Sequence, residues 1–337
     1  MIYLHIGRHK TGTTAIQRFL AGNRNRLEKS GLVYPRTAGG VFAHHATALA
    51  LDALRFGQAG ERERAHAKEE LANIRQLISD RSDSLVISSE AFQNNLQPQI
   101  IAGIFPPGKT TIIVYLREQL DYMLSSYSQM IKAQHTRKTL KEYASTCRPD
   151  YCGFLSNWVS AFGRNAVRPR IYDRSSLIGG DIRQDFAQQI GIGDIHEFEL
   201  SPRDPNSSLG SELIEFKGLL NAFIPPDIQV EMKIYKLLQT LAKTFPPDIG
   251  LPEDFAQEYR QQFTETNSRL FADFFDGSET EFKFKTFPAR SDRVEPMDLL
   301  KKVLAALREI APGRARDLRN YLPRYISKGA IAALLPD

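Results

Sequence analysis

Two short runs, Ser84–Ser88 (SLVIS) and Thr110–Leu116 (TTIIVYL), are β-branched and aliphatic with no polar residue at alternate positions. A strand that reads this way is covered on both faces, which points to a parallel sheet with helices packed on each side. The flanking segments agree. Residues 2–6 (IYLHI) form a shorter strand-like run ahead of a Gly-containing turn, after which Ile16, Phe19 and Leu20 recur at helical spacing through about Leu27. Leu32–Tyr34 reads as a strand ended by Pro35, and a helical stretch follows the pair His44–His45. Residues 61–79 place Leu71, Ile74, Leu77 and Ile78 on one helical face. Further helices are expected over Gln119 to about Gln134, Phe154–Phe162 and Ile182–Ile190, with a strand at Pro169–Tyr172. This alternation predicts an α/β chain with a central parallel sheet flanked by helices. Ligands on such sheets sit at the carboxyl ends of the strands, where Gly7–Thr14, Glu90 and Arg117 would all lie.

After about residue 205 the pattern turns helical. Ser211–Phe223, Val230–Phe245, Pro252–Phe275 and Pro296–Ile310 read as helices separated by loops such as FIPPD and FPPDIG, and Asn206–Ser208 reads as an N-cap. The expected organisation is an α/β domain over 1–205 and a helical C-terminal extension over 206–337 packed on it. Among 337 residues, 44 Lys and Arg against 39 Asp and Glu leave a net charge of +5, without the dense basic stripe of a nucleic-acid binder. That mild excess suits an anionic cofactor or an acidic glycan. The small basic run Lys132, His135, Arg137 and Lys138 reads as a solvated helix end or as a contact for such a glycan. No apolar run approaches the roughly 18 residues of a spanning helix, and Ile2–Gly7 stops at Arg8 and Lys10, too short for a signal-peptide core. Cys147 and Cys152 have neither a redox nor a zinc spacing and read as reduced thiols, so the expected location is the cytoplasm.

The strand–loop–helix HIGRHKTGTTAIQRFL puts Lys10, Gly12, Thr13 and Thr14 at a helix N-terminus. Exposed backbone N–H groups and the positive end of the helix dipole make such a turn a phosphate site. The plain alternative is a capped helix with an exposed lysine. This is not a Walker A loop, whose Lys directly follows the last Gly, whereas here the order is Lys10-Thr11-Gly12-Thr13-Thr14.

Lys-Thr-Gly-Thr-Thr after a strand resembles the 5′-phosphosulfate loop of the sulfotransferases that use 3′-phosphoadenosine 5′-phosphosulfate (PAPS). A second motif of that family is a strand ending in Arg, with Asp four and Ser eight residues on; IIVYLREQLDYMLSSY supplies Arg117, Asp121 and Ser125 at those offsets. The resemblance covers roughly residues 1–200 and implies a P-loop-like parallel sheet. It assigns the 5′-phosphosulfate to Arg8, His9, Lys10, Thr11, Gly12, Thr13 and Thr14, and the 3′-phosphate to Arg117 and Ser125. RIYD resembles a later family feature in which a strand-end Tyr, here Tyr172, meets the adenine. Asn206–Ser208 and NSRLFADFF from Asn267 also look like bacterial carbohydrate-type members.

What this resemblance implies is transfer of a sulfuryl group from PAPS to a hydroxyl, most naturally on a carbohydrate, with no metal required. Lys10 would stabilise the leaving oxygen, and Glu90, ending the strand before it, would take the acceptor's proton; His44 and His45 are the rival bases. Glu90 also reads plainly as a first-turn helix acid. Two other readings stay open: a P-loop small-molecule kinase using Mg-ATP, against which the Lys position and the lack of a Walker B carboxylate count, and a non-catalytic nucleotide- or glycan-binding protein.

Overall fold

The computed structural model describes residues 1–36, 42–56, 60–80, 83–93, 97–200, 209–245, 248–289 and 296–321. Strands β1 (Ile2–His5), β2 (Leu32–Val33), β3 (Ser84–Ser88), β4 (Thr110–Leu116) and β5 (Val167–Ile171) form one parallel sheet in the order β2-β3-β1-β4-β5. β1 is central, with Ile2 opposite both Leu85 and Thr110, and His5 opposite both Ser88 and Ile113. The strand period of two sends Leu85, Ile87, Ile112, Val114 and Leu116 into one apolar core and Val86, Ile113 and Tyr115 into another. On the first face Leu155 and Trp158 come from helix Tyr151–Phe162, and Leu270 and Phe271 from helix Thr264–Phe274. On the second, Ile16, Phe19 and Leu20 come from helix Thr13–Gly22 and Phe186 from helix Ile182–Gln189. The central parallel sheet flanked by helices is therefore the architecture that the two apolar runs predict.

The chain divides into two compact units that interleave along the sequence. The first comprises 1–118, 149–203 and 263–283, and contains the whole sheet; the second comprises 119–148, 204–262 and 284–337. Neither boundary set coincides with a single break at residue 205, because helix Gln119–Ala133 belongs with the second unit and helix Thr264–Phe274 with the first. Several expected helices are shorter or divided. The first ends at Gly22 because the Asn23 side chain donates to Phe19 O at 2.8 Å and Glu199 O at 2.9 Å, and a separate helix, Arg24–Lys29, follows. Val230–Phe245 divides at Lys233, whose φ is +50°, into Pro226–Glu231 and Ile234–Leu241. Pro252–Phe275 becomes Phe255–Gln261 and Thr264–Phe274. Asn206–Ser208 lies outside the described residues. No helix among the described residues is long and apolar enough to cross a membrane.

The second unit is built around Leu213, Phe216 and Leu220 of helix Ser211–Phe223, Leu237 and Leu241 of helix Ile234–Leu241, and Val303 and Leu307 of helix Pro296–Ile310. One lysine sits inside it. Lys217 is 2% exposed, and its ammonium donates to Asn221 Oδ1 and lies 3.3 Å from His135 Nδ1. The Asn221 amide in turn donates to Ile131 O and Thr136 O, both at 2.9 Å. Burial lowers the Lys217 pKa to about 8.

Candidate active site

The loop after β1 stays tied to β4 well past the end of the strand. Ile6 N donates to Ile113 O at 3.1 Å, Tyr115 N to Gly7 O at 3.0 Å, and Arg8 N to Tyr115 O at 3.4 Å. The backbone then folds back through Lys10 (φ +63°) and Gly12 (φ +77°), and the Thr11 hydroxyl donates to Arg8 O at 2.5 Å, closing the turn on itself. Gly12 is the N-cap of helix Thr13–Gly22; no side chain caps it and the first turn holds no acid. Gly12 thus offers no side-chain acceptor to the first amides of that helix, which lie at the positive end of its dipole. Gly12 is required on two counts, its left-handed φ and the approach of Tyr172: a Cβ there would lie 3.0 Å from the Tyr172 ring and 2.8 Å from Ile182. Thr13 is buried, Thr14 exposed, and His9 half-buried in the loop.

Arg117 follows the last residue of β4, and its Nη1 donates to Lys10 O at 3.0 Å. The Arg117 guanidinium also stands 5.8 Å from the centre of the Tyr172 ring, so Lys10, Gly12, Arg117 and Tyr172 are brought together at the carboxyl edge of β1, β4 and β5. Burial, and after it the neighbouring Arg117 charge, hold the Lys10 ammonium below the usual lysine range. Tyr151 OH donates to Arg117 O at 2.7 Å and steadies the strand end. Beneath Tyr172, the fully buried Asp185 accepts from Tyr115 OH at 2.7 Å, from Ile178 N at 3.1 Å, and from Arg170 at 3.1 and 2.5 Å. That forked pair fastens β5 and the turn behind it to helix Ile182–Gln189. Arg8 takes a different course, its guanidinium lying 4.9 Å from the Phe154 ring centre and 5.2 Å from that of Tyr151.

On the other side of β1, the β3 strand ends at Ser88 and leads through Ser89 into a short 3-10 turn, Glu90–Gln93. Gly7 is the reason this turn can press against the loop: a Cβ on Gly7 would stand 3.0 Å from Glu90 Cβ and 3.2 Å from Glu90 Cα. Gln17 Nε2 donates to Glu90 Oε2 at 2.8 Å, and His45 Nε2 lies 3.9 Å from Glu90 Oε1. His45 Nδ1 meets Ser89 Oγ at 2.8 Å; a proton donated by Ser89 leaves the ring hydrogen on Nε2, facing the carboxylate.

The two adjacent histidines therefore part ways. His44 is 1% exposed, accepts Ser88 N–H on Nδ1 at 3.3 Å, packs edge-on against Tyr34, and has its pKa lowered to about 4 by burial. It belongs to the core, and His45 stands beside Glu90. Ser125 lies half-buried on helix Gln119–Ala133 in the second unit, where Asp121 pairs with Lys285 at 2.6 Å.

Sequence reasoning passed over three groups here. Gln17 was findable, being a polar residue on the same helical face as Ile16 and Leu20 and only 2% exposed. Ser89 and the buried His5, whose Nδ1 meets Ser88 Oγ at 2.7 Å, carry no sequence signal, since each acts through a neighbouring strand. Burial lowers the His5 pKa to about 4, against the opposing charge of Glu90. Among the described residues no three His, Cys, Asp or Glu side chains gather as a metal site.

No family model matches the chain. A protein of Archaeoglobus fulgidus described as uncharacterized is 30% identical over 207 residues, a stretch covering 59% of this chain and 55% of that one. The chain thus spans about half the length of that relative. Among solved structures, a sulfotransferase from Alicyclobacillus acidocaldarius is similar with a TM-score of 0.39 and 15% identity, over 80% of this chain and 94% of that one.

Proposed function

We propose that this site moves the sulfuryl group of PAPS onto a hydroxyl, most naturally of a carbohydrate. The observation that carries the reading is the bond from Arg117 to the Lys10 carbonyl, which holds two cations beside an uncapped helix N-terminus. That is an arrangement for an anion with more than one charged group. The order Lys10-Thr11-Gly12-Thr13-Thr14, with Lys ahead of Gly, favours a phosphosulfate over a nucleoside triphosphate.

In this reading the amides of Gly12, Thr13 and Thr14 and the free Thr hydroxyls hold the 5′-phosphate, while the Thr11 hydroxyl shapes the loop. Arg117 takes the 3′-phosphate, with Ser125 assigned to it on motif spacing alone, and Tyr172 offers its ring to the adenine. Arg8 and His9 line the loop. Glu90, oriented by Gln17 and adjoining His45, accepts the acceptor's proton as its oxygen bonds to sulfur. The bond from sulfur to the 5′-phosphate oxygen breaks, the electron pair stays on that oxygen, and Lys10 stabilises the charge that builds there. His44 supports β3 from within the core.

Calorimetric titration with adenosine 3′,5′-bisphosphate, ADP and Mg-ATP tests the reading. Binding of the bisphosphate in clear preference to the other two supports it, and preference for Mg-ATP replaces it with a kinase.

A further inference from the structure

Tyr172 meets the loop after β1 with its hydroxyl end. A Cβ on Gly12 would stand 3.0 Å from Tyr172 Cε2 and 3.3 Å from Tyr172 Oη, so the hydroxyl lies beside the residue that opens helix Thr13–Gly22. The ring is held there from several directions. Tyr172 N donates to Leu116 O at 2.7 Å, carrying the pairing of β5 with β4 one residue further. Ile182, the first residue of its helix, crowds the same Gly12 position, and Asp185 on that helix is forked to Arg170, two residues before Tyr172. Tyr172 Oη nevertheless bonds to no described residue, and the side chain is half-buried rather than sealed from solvent. The adjacent helix start has donors of its own. The amides of Ala15 and Ile16 turn to Gly12 O at 2.9 and 3.2 Å, so those of Gly12, Thr13 and Thr14 are the ones the helix itself does not use.

We infer that the Tyr172 hydroxyl donates to the 5′-phosphate, as a side-chain partner of those three amides and separately from the ring's place beside the adenine. The inference rests on the sulfuryl-transfer reading, which puts the 5′-phosphate at this turn, and deepens it by adding a ligand that lies outside the Lys-Thr-Gly-Thr-Thr order. A phosphate oxygen only accepts, so each ligand it gains here must be a donor. The Thr11 hydroxyl is already spent on Arg8 O, whereas the phenol is not spent on any described group. A phenol also donates without bringing charge. A third cation here would add to the repulsion that already acts between Lys10 and Arg117. Because the ring is clamped before a ligand arrives, little side-chain freedom is lost on binding. The same placement sets the donor where negative charge grows as the bond from sulfur to the 5′-phosphate oxygen breaks.

Tyr172→Phe is the test, since it keeps the ring against Gly12 and removes only the oxygen. Calorimetric titration with adenosine 3′,5′-bisphosphate, adenosine 5′-monophosphate and adenosine 3′-monophosphate reads it without any acceptor. In the variant, the two ligands that carry a 5′-phosphate are expected to bind about tenfold or more weakly, and the 3′-monophosphate as it does to the wild-type chain. Melting of the ligand-free chain is expected to stay where it was; a fall gives the hydroxyl a partner within the chain and overturns the inference. Unchanged affinity for all three nucleotides means that Tyr172 acts through its ring alone, and an equal loss for all three means that the hydroxyl serves the adenine or the ribose. Either result sinks the inference and leaves the bisphosphate reading standing. A wild-type chain that prefers Mg-ATP, or does not bind the bisphosphate, removes that reading and the inference with it.

Discussion

Arg117 Nη1 donates to the carbonyl of Lys10 at 3.0 Å, so the end of one strand holds the loop that follows its neighbour through the backbone and leaves the Lys10 ammonium uninvolved in that bond. Arg117 is thereby both a loop fastener and a ligand candidate. Arg117→Ala is expected to raise the dissociation constant for adenosine 3′,5′-bisphosphate by ten- to a hundredfold, about 1.4–3 kcal/mol, and that for ADP by much less. Calorimetry on the two nucleotides checks it; an equal loss for both would mean that the loop tether is its whole role.

Lys10 has a depressed pKa, so it sheds its proton at a lower pH than an ordinary lysine. A bound phosphate reverses that shift, because an adjacent anion favours the charged form. Bisphosphate binding at alkaline pH should therefore take up protons, measurable as a dependence of the binding enthalpy on the buffer's ionisation enthalpy. Lys10→Met should abolish the uptake and the transfer reaction while weakening binding only modestly.

Glu90→Gln keeps the Gln17 contact within reach and removes the base. Transfer should fall by about 10²- to 10⁴-fold with the bisphosphate dissociation constant unchanged. His45→Ala should cost less than Glu90→Gln, since His45 faces Glu90 at 3.9 Å and acts through it. A larger loss from His45→Ala would make the imidazole the base.

His5 and His44 are buried with pKa values lowered to about 4. Between that value and the ordinary 6.5 the unfolded chain binds protons that the folded chain refuses. Stability is then fully present above about pH 6.5 and is lost as pH falls toward 4, with a loss on the order of 2–3 kcal/mol per histidine. Urea midpoints from pH 7.5 to 4.5 should show the slope, and His44→Gln should flatten it, although its lost packing on Tyr34 lowers the midpoint at neutral pH.

Lys217 gives a slope of the same sign in a more alkaline window. Its pKa is lowered to about 8 by burial alone, so the folded chain carries an unfavourable charge at neutral pH and sheds it before the unfolded chain does. Stability should rise between pH 8 and 10.5. Lys217→Met should raise the melting temperature at pH 7, with an advantage that shrinks toward pH 10.5; a lowered melting temperature at pH 7 would show that the bonds to Asn221 and His135 outweigh the burial of the charge.

The strands at Ser84–Ser88 and Thr110–Leu116 were legible residue for residue because burial on both faces leaves an unbroken apolar run with sharp polar ends. The strand–turn–helix junction at Gly7–Thr14 was legible because a glycine with a left-handed φ, Gly12, stands at the start of the helix. What escaped depends on segments far away in sequence. Nothing local decides that His44 turns into the core while His45 turns to Glu90; the choice is made by the bond from His44 N to Ser88 O, on a strand distant in the chain. The same holds for Asn23, whose partners on the Glu199 backbone ended a helix that periodicity alone would have continued.

β1 precedes in the chain both strands that it pairs with, and it lies between them. Its loop is braced by Tyr115 and Arg117 on one side and by the turn at Glu90 on the other, so the one local side-chain bond given for it, from Thr11 to Arg8 O, is backed by segments far away in sequence. Folding must close these long separations before the proposed phosphate site can form, a slow and nonlocal route. On the proposed function, anion affinity is accordingly an all-or-none readout of a completed sheet, and a phosphate-bearing ligand present during refolding is expected to trap the native topology and no earlier state.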